Sequence, residues 1–155
     1  MKRICIVGLG WLGLELAKEL KKKGYYTIGT TTSEVKSQQF RTELDEIYRM
    51  EIGLGENLNV SADVLIYTIP PSGSNNYVKG SSAFLNQFNN SNPHASVFYT
   101  SSTSVYGNES REINEESDVR PETKSARKIV EVERYIQSHF KNRYIIIRLG
   151  GLVGG

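Results

Sequence analysis

Gly8, Gly10 and Gly13 form the sequence Gly8-Leu9-Gly10-Trp11-Leu12-Gly13, directly after the apolar run Arg3-Ile4-Cys5-Ile6-Val7. Leu14 to Lys23 follows with helical periodicity. Strand, G-x-G-x-x-G turn and helix in that order make up a dinucleotide-binding fingerprint. Each glycine has a physical task. Gly8 lets the chain turn sharply off the strand. Gly10 has no Cβ, so a pyrophosphate can approach the backbone closely. Gly13 lets the helix pack tightly on the sheet. Phosphates would lie at the helix N-terminus, on the free N–H groups of Trp11, Leu12 and Gly13 and at the positive end of the dipole. A glycine-rich turn in an ordinary α/β protein is the alternative reading of the same residues.

A second cluster with chemical potential is the hydroxyl-rich segment Thr100-Ser101-Ser102-Thr103-Ser104, which ends in Tyr106. Read on its own, it is a polar loop. The remaining reactive side chains offer little. Cys5, the single cysteine, lies inside the first apolar run, cannot form an internal disulfide, and is expected to be buried and inert. His94 and His139 are far apart, with no cysteine or carboxylate at ligand spacing, so no metal site is expected.

The elements that must position these groups alternate along the chain. Strands are expected at Arg3–Val7, Tyr26–Thr30, Glu46–Glu51, Val64–Ile69, Ser96–Thr100 and Tyr144–Leu149. Helices are expected at 11–23, at Glu34–Leu44 with Ser33 as N-cap, at 76–88 and at 123–139. Leu12, Leu16 and Leu20 mark one face of the first helix, and Gly24 caps its end. Asn89 to Pro93 reads as a polar turn, and Pro70-Pro71-Ser72-Gly73 as a strand stop. Val64–Ile69 is nearly all apolar, as a parallel strand covered on both faces should be. The expected fold is α/β, a doubly wound parallel sheet with strand order 3-2-1-4-5-6 and helices on both faces. The ligand crevice then opens where strands one and four diverge. The glycine turn, Thr30 to Ser33, Ile69 to Gly73 and Ser101 to Tyr106 all fall at that edge.

Composition narrows the class. A chain of 155 residues suits one domain, spanning 1–155. Net charge is only +2 and the basic residues are scattered, so no nucleic-acid partner is expected. Lys21-Lys22-Lys23 ends a helix, where cations favour the dipole. No stretch is long enough to span a membrane. The N-terminus begins with a core strand rather than a signal peptide, which points to the cytoplasm.

Taken together, the glycine turn, the S-S-x-x-V-Y-G segment Ser101–Gly107, Pro121 and the ending Ile147-Arg148-Leu149-Gly150-Gly151 resemble the extended short-chain dehydrogenase/reductases. These are also called the NAD-dependent epimerase/dehydratase family. The resemblance implies hydride transfer on a small-molecule substrate, a nucleotide sugar or a related carbonyl or hydroxyl compound. It puts Ser102 at the family's active-site Ser/Thr, which hydrogen-bonds the reacting substrate oxygen. The family's base is a tyrosine with a lysine four residues later. An unperturbed tyrosine, with a pKa of about 10, is a poor base at neutral pH, and the lysine lowers it. No tyrosine here has lysine at that spacing. Alignment on Pro121 and Glu133 puts Ser125 at the tyrosine position and Ile129 at the lysine position. This looks like an atypical subgroup with the cofactor fold and an altered active site. Arg127 or Lys128 can still supply a cation near the cofactor, or be solvated. A non-catalytic NAD(P)-binding sensor or scaffold is the alternative function. The N-terminal turn also resembles that of hydroxyacid dehydrogenases, which gives no reason for the serine segment.

NADP is favoured over NAD. NAD-preferring sites place an acid about twenty residues beyond the glycine turn. Here that stretch reads Thr30-Thr31-Thr32-Ser33, with Lys36 nearby to receive a 2′-phosphate. Glu51 aligns with a family acid at the adenine, and is equally an ordinary surface carboxylate. Ile69, Pro70 and Ser101 complete the expected cofactor contacts. Family members continue into a smaller substrate-binding region beyond the sixth strand, so the chain looks truncated. The apolar run Tyr144-Ile145-Ile146-Ile147 would be an uncovered edge, and self-association is expected.

Overall fold

β-branched and aromatic runs fold into six parallel strands: β1 (Arg3–Val7), β2 (Tyr26–Thr31), β3 (Glu46–Arg49), β4 (Val64–Tyr67), β5 (Ser96–Ser102) and β6 (Tyr144–Leu149). In this computed structural model the described residues are 1–53, 55, 57–72, 76–108 and 110–151. Gly73 and the terminal Leu152-Val153-Gly154-Gly155 lie outside them. The sheet order is β3-β2-β1-β4-β5-β6, the doubly wound order expected from the alternation of elements. Register pairs Val7 with Thr30 and with Tyr67, so three strand ends meet beside the glycine turn.

Successive strand residues face opposite sides of the sheet. Ile4 and Ile6 pack with Leu9, Ala17 and Leu44 under α1 (Trp11–Lys22). Cys5, Val7, Leu65, Tyr67, Val97 and Tyr99 form the larger core on the other face. That core is shared with α3 (Tyr77–Ser91) and α4 (Lys124–Phe140).

Several boundaries differ from the sequence reading. The second helix, α2 (Glu34–Gln39), stops five residues early, and a turn then carries Leu44 down onto the sheet, where it is buried. Ser33 caps it as expected, its hydroxyl accepting from Lys36 N–H at 3.3 Å. β3 and β4 end two residues short, and β5 runs two residues further, to Ser102. Asn89, Asn90 and Ser91 are helical rather than a turn. The cause is Asn92, whose buried side chain accepts from Ala62 N–H and donates to the carbonyls of Val60 and Phe88. On α1 the deepest residues are Gly13 and Ala17, not Leu12 and Leu16, because small side chains allow the closest approach to the sheet. Gly24 adopts φ +84° just past that helix, as its capping role requires. No helix among the described residues is long and apolar enough to cross a membrane.

Candidate functional site

The strand β1 ends at Gly8, whose φ of +103° is open to glycine at little cost. The turn is clamped from two sides. Gly8 N–H donates to Thr30 Oγ1 at 3.1 Å, and Thr68 Oγ1 donates to the Gly8 carbonyl at 2.6 Å. A Cβ on Gly13 would come within 2.2 Å of the Gly8 carbonyl oxygen, so only glycine lets α1 start here. A Cβ on Gly10 would meet nothing within 4 Å. The two glycines therefore do different work: Gly13 is filled by backbone, and Gly10 faces open space.

At α1 the first intrahelical bond runs from Leu14 N–H to the Gly10 carbonyl at 3.0 Å. No side chain caps this end. The N–H groups of Trp11, Leu12 and Gly13 are left with no intrahelical acceptor, as at any uncapped helix start. This donor set suits a diphosphate, and the bare face of Gly10 leaves room for one.

Above the strand ends the groove has two halves. The outer half, about 420 Å³, is walled by Gly8, Gly10, the stretch Thr30 to Ser33, Lys36, Glu51, Ile69 and Pro70, with Tyr77 at its floor. Its hydroxyls are partly committed, since Thr30 holds Gly8 and Thr31 Oγ1 accepts from Ser33 N–H at 3.3 Å. Thr32, Lys36 and Glu51 are exposed. The inner half, about 370 Å³, shares Gly8, Gly10, Ile69 and Pro70 and adds Trp11, Leu12, Gly13, Ser101, Ser102, Ile129 and Leu149.

Ser102 closes β5 and caps the single 3-10 turn Thr103–Tyr106. Its oxygen accepts from Ser104 N–H at 3.1 Å, so its own proton stays available to the groove. Ile129, at 7% exposure, puts an alkyl group on the wall of the same half. Ser125 is exposed and does not line it. Arg127 and Lys128 also stand away from it, with Arg127 donating to the Glu122 carbonyl at 2.9 Å. The residues described as lining the inner half include no ionisable side chain.

The glycine turn, Thr30 to Ser33, Lys36, Glu51, Ile69, Pro70, Ser101 and Ser102 line this groove, while Ser125, Arg127 and Lys128 fall outside it. Three contributors escaped the sequence reading. Thr68 clamps the glycine turn, and Tyr77 donates to the Ile69 carbonyl at 3.0 Å. Glu133 and Arg148 form an ion pair next to Ser101, the carboxylate buried and the guanidinium half-buried. A hydroxyl ending the apolar run of β4 was a readable signal for Thr68. Arginine interrupting the apolar run of β6 was one for Arg148.

The fold has counterparts among solved structures. No family model matches the chain. A proposed NAD-dependent epimerase/dehydratase from Methylobacillus flagellatus superimposes with TM-score 0.81 at 26% identity, over 99% of this chain and 55% of that one. UDP-glucuronic acid 4-epimerase from Bacillus cereus, in complex with NAD, superimposes with TM-score 0.78 at 18% identity, over 98% and 58%. The fold is that of the NAD-dependent epimerase/dehydratase family. The resemblance carried by the glycine turn and the Ser101–Gly107 segment is borne out at this level. Among curated proteins, Protein YeeZ of Escherichia coli K12 is 32% identical over 167 residues. The match takes in 99% of this chain, which spans 60% of the length of YeeZ.

Proposed function

We propose that the chain binds a nicotinamide dinucleotide along this groove and is the cofactor-binding part of an epimerase/dehydratase-like enzyme acting on a nucleotide sugar or a similar carbonyl or hydroxyl compound. The observation that carries this is the open face of Gly10 beside the uncapped start of α1, continuous with Ser102 across the inner half of the groove. A bound nicotinamide supplies a hydride acceptor or donor. The protein's own residues do the rest. Backbone N–H groups of Trp11, Leu12 and Gly13 hold the diphosphate. Ser102 offers its free proton to the substrate oxygen. Ile129 and Leu149 exclude water from the reacting face. A proton leaving the substrate must pass to a group beyond this lining, because Ile129 replaces the family's lysine and Ser125 its tyrosine.

NADP is the favoured coenzyme. The outer wall from Thr30 to Ser33 carries hydroxyls and no acid, and Lys36 stands on the same wall to meet a 2′-phosphate. Glu51, on that half as well, is assigned to the adenine end. The apolar edge of β6 is assigned to pairing with a second copy of the chain.

Calorimetric titration of the full chain with NADPH and NADH tests the binding. Saturable binding with NADPH the tighter is expected, and indifference to both coenzymes overturns the reading. Adding a panel of nucleotide sugars, while following absorbance of the reduced nicotinamide, then tests catalysis. The absence of an ionisable side chain from the described inner lining favours a second reading, a binding module without turnover. Coenzyme binding with no absorbance change on any sugar would select it.

A further inference from the structure

Among the described residues, Glu133 is the only charged residue that is fully buried, at 2% exposure. Together with Arg148 it joins four elements, α4, β5, β6 and the 3-10 turn. Oε1 accepts from Ser101 Oγ of β5 at 2.5 Å and from Arg148 Nε of β6 at 3.0 Å. Oε2 accepts from Arg148 Nη2 at 2.8 Å. The remaining arm, Arg148 Nη1, donates to the Tyr106 hydroxyl of the 3-10 turn at 2.8 Å. The guanidinium carbon also lies 4.9 Å from the centre of the Tyr106 ring. A buried ion pair is a poor means of raising stability, because desolvation offsets most of the attraction. What it does supply is direction, since a fork-to-carboxylate pair has one good geometry.

That direction falls on the Ser101 hydroxyl, next in the chain to Ser102 on the same groove wall. Ser101 spends its only proton on Glu133, so it can present lone pairs alone. Ser102 is the reverse, with its oxygen accepting from Ser104 N–H and its proton unspent. We propose that the Glu133–Arg148 pair is a positioning unit for the Ser101–Ser102 corner, fixing Ser101 as an acceptor and Ser102 as a donor toward the nicotinamide end of the groove. The identity of that occupant rests on the coenzyme reading above. The ordering of the two hydroxyls rests on the hydrogen bonds alone.

The test uses the full chain carrying Glu133→Gln, Arg148→Lys as a second variant that keeps the charge but loses the fork, and Glu131→Gln on the exposed side of the same helix as control. Two measurements are made. Without ligand, amide hydrogen exchange is expected to speed up at Ser104 by about tenfold in both clamp variants, with Ile6 and Val7 unchanged. By calorimetry, the Kd for NADPH is expected to rise by about tenfold, while 2′-phospho-ADP-ribose, which lacks the nicotinamide, binds as to the parent. A merely structural role would move both ligands together or neither, and either pattern overturns the positioning role. Unchanged exchange at Ser104 overturns it as well. If the parent binds neither ligand, the coenzyme reading fails, while the exchange result still decides whether the pair orders the corner. If Glu133→Gln does not fold, Arg148→Lys carries both measurements.

Discussion

Gly10 and Gly13 lie three positions apart and face opposite constraints. Valine at Gly10 would extend into an open groove from a backbone at φ −81° and ψ −163°, a region any residue adopts. Gly10→Val should therefore stay folded, at a cost of about 1 kcal/mol for the poorer N-cap. It should lose all measurable coenzyme binding, because the side chain fills the space the diphosphate needs. Gly13→Ala meets the Gly8 carbonyl at 2.2 Å and should cost about 3 kcal/mol or more. Thermal melts and calorimetry on the two variants separate the effects, and a Gly10→Val protein that binds like the parent would remove the turn from the site. Cys5 supplies a second residue-scale expectation. Burial pushes its thiol up to about 12, so it is neutral at physiological pH and walled off by the core. Its modification by a thiol reagent should follow global unfolding across a urea series, and rapid labelling of the native protein would contradict the core placement.

At the level of elements, β3 is held by a carboxylate. Glu46 accepts from Tyr48 Oη at 2.6 Å and from Arg3 Nη2 at 2.9 Å, the arginine reaching across Tyr26 of β2 with its guanidinium 4.2 Å from the ring centre. Hydrogen bonds from Tyr48, then Tyr26, then Arg3 hold the Glu46 pKa below its ordinary 4.5. A carboxylate with a depressed folded pKa stabilises the fold fully above its unfolded value, and that contribution is lost as pH falls through the folded one. Glu46→Gln should cost up to about 1 kcal/mol at neutral pH, the pair being partly exposed, and should flatten the acid limb of stability. Urea midpoints at neutral pH and at about pH 3 check this, and equal losses at both would discount the carboxylate. β1 and β4 were legible because burial leaves near-continuous apolar runs, and the glycine turn because its three glycines stand at a fixed spacing after β1. Helix ends were less so. Asparagines 89 and 90 are weak helix formers, and α3 reaches Ser91 because Asn92 finds three partners that only the folded chain brings together. The groove residues near Gly8 and Ser102 could be read as motifs. The Glu133–Arg148 clamp could not, because no local spacing announces a contact between a helix and a distant strand.

Across the whole molecule the two sheet edges are unequal. β3 is four residues long and carries Glu46 and Arg49, features that discourage pairing. β6 is six residues long and apolar for most of its length. Its Tyr144 and Ile146 pack on the larger core, but Ile145 and Ile147 point to the other face and are 50% and 39% exposed. On that face the packed cluster under α1 takes in Val64 and Ile66 of β4, while Phe98 of β5 is only half-buried. So the apolar surface runs from Phe98 across both isoleucines to the β6 edge of the sheet. Such an edge should recruit a second copy of the chain. Sedimentation of the isolated chain should depend on concentration. Ile145→Lys combined with Ile147→Glu should shift it toward monomer, at a folding cost of ~0.5 kcal/mol because both side chains are already partly in solvent. Circular dichroism confirms that the double variant is folded. A parent chain that sediments as one dilution-stable monomer would show that this edge is tolerated without a partner.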